Sequence, residues 1–118
     1  MVSESLRNEI FELDNLCCVV CGWEGITPKG RPILDAAHVM AENKNGPDVI
    51  ENLLSMCPTC HRMFDRYCFS FEPDMRVIEI NPKLKKVYSS RFDGYTVDSI
   101  SRIQRGYLEH HYLRFNDH

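Results

Sequence analysis

The chain has 118 residues, 43% of them hydrophobic and 26% charged, with a formal net charge of −3. That hydrophobic share excludes a disordered chain, no apolar run approaches the roughly 18 residues a bilayer span needs, and the mild acidity argues against strong affinity for nucleic acid spread over the whole surface. The length sets one small domain, with a core thin enough that a metal staple would help it fold.

Residues 3–14 are predicted as a short helix, capped by Ser3 or Ser5, with Leu6, Ile10 and Leu13 on one stripe. Cys17 to Gly22 reads as a tight knuckle whose turn Gly22 permits. Trp23 to Pro32, with Gly25, Pro28, Gly30 and Pro32, reads as a loop. The run from Pro32 predicts a strand ending near His38, and Asn43 to Asp48 a turn. Val49 to Met56 returns, extended in part. Pro58 opens a helix that runs to about Tyr67, in a position where a missing N–H costs little. Phe69–Phe71 and Arg76–Ile80 form a small hairpin around Pro73 and Asp74, and Leu84–Tyr88 adds a third strand beyond Pro82. Asp98 or Ser99 caps a final helix with Ile100, Ile103, Tyr107 and His111 on one stripe. There is no internal repeat and no low-complexity segment.

The charge is unevenly placed. Residues 1–75 carry 6 Lys/Arg against 12 Asp/Glu, and residues 76–118 carry 8 against 5. Lys83, Lys85, Lys86, Arg91, Arg102 and Arg105 are therefore candidate phosphate contacts, against the plainer reading of a solvated basic face. The first residues lack a basic start followed by an apolar core, so no signal peptide is expected. A cytoplasmic location follows as an expectation, one in which thiols stay reduced and six cysteines point to metal before disulfides.

Four of the cysteines form two hooks, Cys18-Val-Val-Cys21 and Cys57-Pro-Thr-Cys60. Two residues between thiolates let both sulfurs reach one ion, so Cys18, Cys21, Cys57 and Cys60 predict a closed, structural zinc site. The rival is a redox dithiol, disfavoured because no thioredoxin-like pattern accompanies the hooks. Cys17 replaces Cys18 only with worse spacing, and His61 beside Cys60 is an alternative zinc ligand. Cys17 and Cys68 read as small core residues.

Between and beside the hooks lie His38, Asn52 and His61. Phosphodiester hydrolysis needs a base for water and positive charge on the phosphoryl and leaving oxygens. Histidine serves as the base near neutral pH, and a divalent cation held by imidazole and oxygen ligands serves as the charge. His38 at the strand end is the candidate base. Asn52 on the return arm positions that base or orders a metal site, and His61 points from the first turn of the helix toward the same place. Singly, each has a plain reading: a satisfied structural histidine, a turn or helix cap, an extra zinc ligand. Their shared placement relative to both hooks favours a joint role.

The segments Cys-Val-Val-Cys-Gly, Leu-Asp-Ala-Ala-His-Val, Glu-Asn-Leu-Leu-Ser-Met-Cys-Pro-Thr-Cys-His and Arg-Met-Phe-Asp-Arg, covering about Cys18 to Phe71, resemble the HNH endonucleases. Ala-Ala-His and His-x-x-Phe-Asp are similar to the restriction-endonuclease-like branch, as is the closing Tyr-Leu-Glu-His-His-Tyr-Leu-Arg-Phe. The resemblance implies an α+β chain with a zinc-stapled ββα-metal (treble-clef-like) core flanked by N- and C-terminal helices and a small β-hairpin. It implies one HNH domain over 1–118, with its core at about 16–72 and an extension at 73–118. It further implies a catalytic divalent ion such as Mg²⁺ or Mn²⁺, His38 as base, His61 as metal ligand, and DNA cleaved to a 5′-phosphate and a 3′-hydroxyl.

One position departs from the pattern. Many HNH enzymes carry a metal-binding Asp or His directly before the catalytic histidine, and here that residue is Ala37. Asp65 is the candidate replacement, since it lies four residues after His61 on the same helix face; Arg62 and Arg66 are its alternative partners. Asp35, on the Ala37 side of the strand but two residues back, is the weaker candidate. Three readings follow. One is a metal-dependent DNA endonuclease, with two active sites in a homodimer if both strands are cut. The others are a non-catalytic zinc module that binds nucleic acid or protein, and the nuclease piece of a larger defence or mobile-element system. No membrane partner is expected.

Overall fold

Helix α1 (Glu4–Leu13) begins where Ser3 turns its hydroxyl onto the Leu6 N–H at 3.2 Å, satisfying one of the donors a helix start leaves open. The structure is a computed structural model and describes residues 2–88, 94 and 97–118. α1 buries Ile10 and Phe11, whereas Leu13 of the predicted stripe is 46% exposed. Asn15 and Leu16 both adopt left-handed backbone (φ 60° and 56°), so the chain leaves the helix too sharply for Leu13 to follow the core. Buried Asp14 ties this end down, its Oδ2 accepting from the Ser55 N–H at 2.8 Å and its Oδ1 from Arg102 Nη1 at 2.9 Å.

Strands β1 (Asp35–His38) and β2 (Leu53–Met56) pair antiparallel, with Asp35 opposite Met56, Ala37 opposite Leu54 and His38 opposite Leu53. Helix α2 (Pro58–Asp65) follows at once, with Cys57 at its N-cap and Pro58 in its first turn. This ββα unit is the predicted hairpin-then-helix, and α2 stops two residues short of Tyr67. The predicted small hairpin forms as β3 (Phe69–Phe71) and β4 (Ile78–Ile80). Phe64, Phe69 and Phe71 join α2 to that hairpin, with ring centroids 5.4 to 6.0 Å apart, the separation favoured by tilted and edge-on aromatic packing.

Two expectations fail beyond β4. The third strand is instead a 3₁₀ turn, Pro82–Leu84, running into the short helix α3 (Lys85–Tyr88). Asn81 Oδ1 accepts from the Lys83 N–H at 3.0 Å, and Pro82 sits in the first turn, both signals that start helices. The final helix is split into a 3₁₀ segment, Asp98–Arg102, and α4 (Arg105–Asn116). Ile103 between them is extended (φ −77°, ψ 133°). The Arg76 guanidinium donates to the carbonyls of Ile100 and Ile103 at 2.8 and 2.7 Å, and the Gln104 N–H bonds to the Glu51 carbonyl. α4 packs on β3 and buries Leu108, His111 and Phe115. The fold is α+β, the predicted class, and no helix among the described residues is long and apolar enough to cross a membrane.

Candidate functional site

The two hooks meet. Cys18, Cys21, Cys57 and Cys60 place their sulfurs within 4.8 Å of one another, with Cys21 Sγ 3.7 Å from Cys57 Sγ. Four thiolates at the usual zinc–sulfur length of about 2.3 Å on a tetrahedron stand about 3.8 Å apart, so the donor set fits a metal ion. Local backbone builds both hooks. The Gly22 N–H closes the first turn on the Cys18 carbonyl at 2.9 Å, and the Cys60 N–H points at Cys57 Sγ at 3.4 Å. A hydrogen bond from Cys60 draws the Cys18 thiol down to about 4, while burial pushes Cys21 up to about 11. Crowded sulfurs hold their protons unequally unless a cation lies among them. Because Cys57 caps α2, the clamp fixes where that helix begins.

Beside it opens a cleft of about 650 Å³, lined among others by His38, Glu42, Lys44, His61, Asp65 and His110. His38 lies at the end of β1, its side chain 15% exposed, with Nε2 2.7 Å from Asp48 Oδ1. That bond holds the Asp48 carboxyl below the ordinary aspartate range. Asn52 is fully buried and does not line the cleft. Its Oδ1 accepts from the Met40 N–H at 2.8 Å, and its Nδ2 donates to the Met40 and Pro47 carbonyls at 3.0 Å each. These side-chain hydrogen bonds all go to the loop that joins His38 to Asp48. Gly46 tightens the same loop, because a Cβ there would fall 1.7 Å from the Met40 carbonyl oxygen.

His61, in the first turns of α2, is bracketed by two carboxylates. Its Nδ1 lies 2.9 Å from Asp35 Oδ2 and its Nε2 3.2 Å from Asp65 Oδ2. The helix spacing brings Asp65 to His61, and the strand pairing brings Asp35 to its other side. Ala37 is fully buried and offers only a methyl group. Desolvation raises the Asp65 carboxyl above its ordinary value; the charges of His61 and His38 work against that rise and that of Asp35 works with it. The four side chains therefore share one electrostatic environment.

Three of the six candidate phosphate contacts of the C-terminal part are engaged elsewhere. Arg102 holds Asp14 and donates to the carbonyls of Ile50 and Leu53, so it is structural. Arg105 pairs with Asp74 at 2.8 Å and with Glu109, and Lys83 Nζ reaches the His118 carbonyl oxygen. Arg91 lies outside the described residues. The basic residues that do line the cleft, Lys44 and His110, belong to no motif, nor does Asp48 beside His38; only a pattern of cleft-facing positions across distant segments would have singled them out.

Residues 18–72, from the first clamp cysteine to the end of β3, match the family described as HNH endonuclease. That segment is just under half of the chain, and across it the chain is similar to the HNH endonucleases. Among solved structures it is similar in fold to the modification-dependent restriction endonuclease TagI, with a TM-score of 0.74 and 21% identity over 96% of this chain and 38% of that one. The chain thus spans less than two fifths of the TagI chain's length. The type IV phosphorothioation-dependent restriction endonuclease ScoMcrA also matches, with a TM-score of 0.43 and 22% identity over 98% of this chain and 19% of that one. No curated protein matches the chain.

Proposed function

We propose that the chain is a divalent-metal-dependent endonuclease that hydrolyses DNA phosphodiester bonds, of the restriction or defence type. Residues 1–118 act as one HNH domain in this reading, a unit supported by the packing of α4 on β3. The observation that carries the proposal is the convergence of His38, His61 and Asp65 on one cleft within the HNH segment.

His38 is the general base. Donation of its Nε2–H to Asp48 leaves Nδ1 unprotonated, the nitrogen that takes a proton from water. The water oxygen attacks phosphorus and the bond from phosphorus to the 3′ oxygen breaks, leaving a 5′-phosphate and a 3′-hydroxyl. Asn52 keeps Asp48 and His38 in register by clamping the loop between them. Asp35 accepts the Nδ1–H of His61, which turns the Nε2 lone pair toward Asp65. His61 and Asp65 would hold a divalent ion such as Mg²⁺ or Mn²⁺, which when bound supplies positive charge against the phosphoryl and leaving oxygens. The four cysteines take zinc in a closed, structural role and set the position of α2 and His61. Cutting both strands requires two such clefts, which a homodimer would provide.

Plasmid DNA incubated with the protein and Mg²⁺, Mn²⁺ or Ni²⁺ at low salt tests this. Nicking is expected, and His38→Ala abolishes it while zinc content and melting stay unchanged. Intact plasmid under every ion overturns it. The buried methyl of Ala37, in the place of a metal ligand, favours a second reading, a non-catalytic zinc module. DNA binding without turnover, unaffected by His38→Ala, selects that one.

A further inference from the structure

The cleft has a second wall that lies outside the His38–His61 pair and largely outside the HNH segment. α4 supplies it from the far end of the chain. His111 anchors that helix in the core: its Nδ1 pairs with Ser70 Oγ at 2.7 Å, its Nε2 lies 3.0 Å from the Phe64 carbonyl oxygen, and its ring stacks on Phe64 with centroids 3.7 Å apart. The preceding residue, His110, about 100° round the helix, lines the cleft. Lys44 comes from the loop clamped by Asn52, on a 3₁₀ turn (Glu42–Lys44) closed by left-handed Asn45 at φ 68°. It is exposed, lines the cleft and forms no ion pair with a described residue. Arg114, one turn beyond His110, donates to the His110 carbonyl at 3.4 Å.

Both mounts are held from the core, one by a buried imidazole and the other by a buried carboxamide, so Lys44 and His110 project from fixed backbone. The carboxylates of the cleft are Asp65, at the His61 end, and Glu42, at the start of the Lys44 turn. The carboxylates are thus split, with Asp65 beside His61 and Glu42 on the loop with Lys44, while α4 adds the basic side chain of His110.

Resting on the nuclease reading, we infer that Lys44 and His110, with Arg114 beside them, form a phosphate-binding wall that holds a backbone phosphate of the substrate strand neighbouring the one being cut. Burial, and then the charges of Arg114 and Lys44, hold the His110 imidazole below its ordinary value, so it is mostly neutral in the free protein and takes up a proton as an anion is placed beside it and Lys44. A phosphate there orients the strand across His38 without touching the reacting atoms, and it makes the C-terminal helix part of the site.

The test is binding of a fluorescein-labelled DNA duplex in the His38→Ala background, which cuts nothing, followed by anisotropy across a salt series. Lys44→Gln and His110→Gln should each weaken binding by several-fold to about tenfold at low salt, and Lys44→Gln should lower the slope of log affinity against log salt by about one. Thermal melting and zinc content report that the fold is intact. In the cleaving protein the same changes should raise KM and leave kcat within about twofold. Parent-like affinity and salt slope in both variants overturn the wall while plasmid nicking still supports the nuclease. A parent protein that fails to bind duplex at low salt also overturns it, and the nicking assay then decides the nuclease reading separately.

Discussion

His61 Nδ1 lies 2.9 Å from Asp35 Oδ2, a contact that joins helix α2 to strand β1 across 26 residues of sequence. An imidazole whose Nδ1–H is held by a carboxylate has its other nitrogen aimed and more basic, the arrangement usual for metal-binding histidines. Asp35 acts through His61 in the proposed mechanism, and Asp65 touches the ion. Asp35→Asn should therefore weaken divalent-ion affinity by about 10–100-fold with maximal rate recovered at high ion concentration. Asp65→Ala should leave little recovery at any concentration. Cleavage rate titrated against Mn²⁺ separates the two, and equal behaviour of both variants contradicts the division of roles.

Asn52 contributes through the loop it clamps. Asn52→Ala leaves the Met40 and Pro47 backbone groups without their buried partners, at a cost of about 1–3 kcal/mol. Cleavage should fall further than stability alone explains, because His38 and Asp48 lose their register. Urea denaturation and plasmid nicking on the same preparation check this; full activity in a destabilised variant would sever the link.

The four-cysteine clamp should hold about one zinc ion per chain, and binding of this kind contributes on the order of 10 kcal/mol in small modules. That approaches the whole stability of an ordinary domain, about 5–15 kcal/mol. Cys57→Ser or Cys60→Ser should lose the metal and most α2 structure, seen by elemental analysis and circular dichroism. A folded, metal-free Cys57→Ser protein would show the clamp to be dispensable.

Burial pushes the His111 imidazole down to about 4 from its ordinary 6.5. The folded protein therefore binds this proton less readily than the unfolded chain does. The stability involved is present in full above pH 6.5 and lost as pH falls toward 4, reaching about 3 kcal/mol below that. Chemical denaturation of the protein and of His111→Gln at pH 7 and pH 4.5 isolates the effect from zinc release, which both share. The gap between the two should narrow on acidification, and a constant gap refutes the assignment.

Arg102 and Asp14, 88 residues apart, close a buried ion pair whose carboxylate is fully shielded. Arg102→Ala strands that charge in the core and should cost about 3–5 kcal/mol. Replacing both residues by apolar ones should recover much of the loss, since the pair's net contribution is far smaller than the penalty of breaking it. Equilibrium unfolding of the single and double variants measures this.

Local spacing made much of the core legible. Two-residue gaps between cysteines, Pro58 at a helix start and an i, i+4 relation between His61 and Asp65 all act within a turn or two, where bond geometry alone decides which side chains can meet. The same reasoning misjudged the segments after Ile80. There the third strand became α3 and the last helix broke at Ile103, because Asn81 and the Arg76 guanidinium offered the backbone partners that periodicity does not register. In the basic C-terminal stretch, Arg102 pairs with buried Asp14 and Arg105 with surface carboxylates, partners that spacing does not register.

Sequence by itself determined the clamp, the ββα order and the candidate base, because these depend on residues close in the chain. Only the tertiary structure decided that Asp48 faces His38, that Asn52 clamps a loop, that Asp35 takes the far nitrogen of His61, and that α4 brings His110 to the cleft. Each of these is a contact between separate elements, set by how the aromatic core and the buried Asp14–Arg102 pair lock those elements together, and long-range packing leaves no periodic mark on the residues it joins.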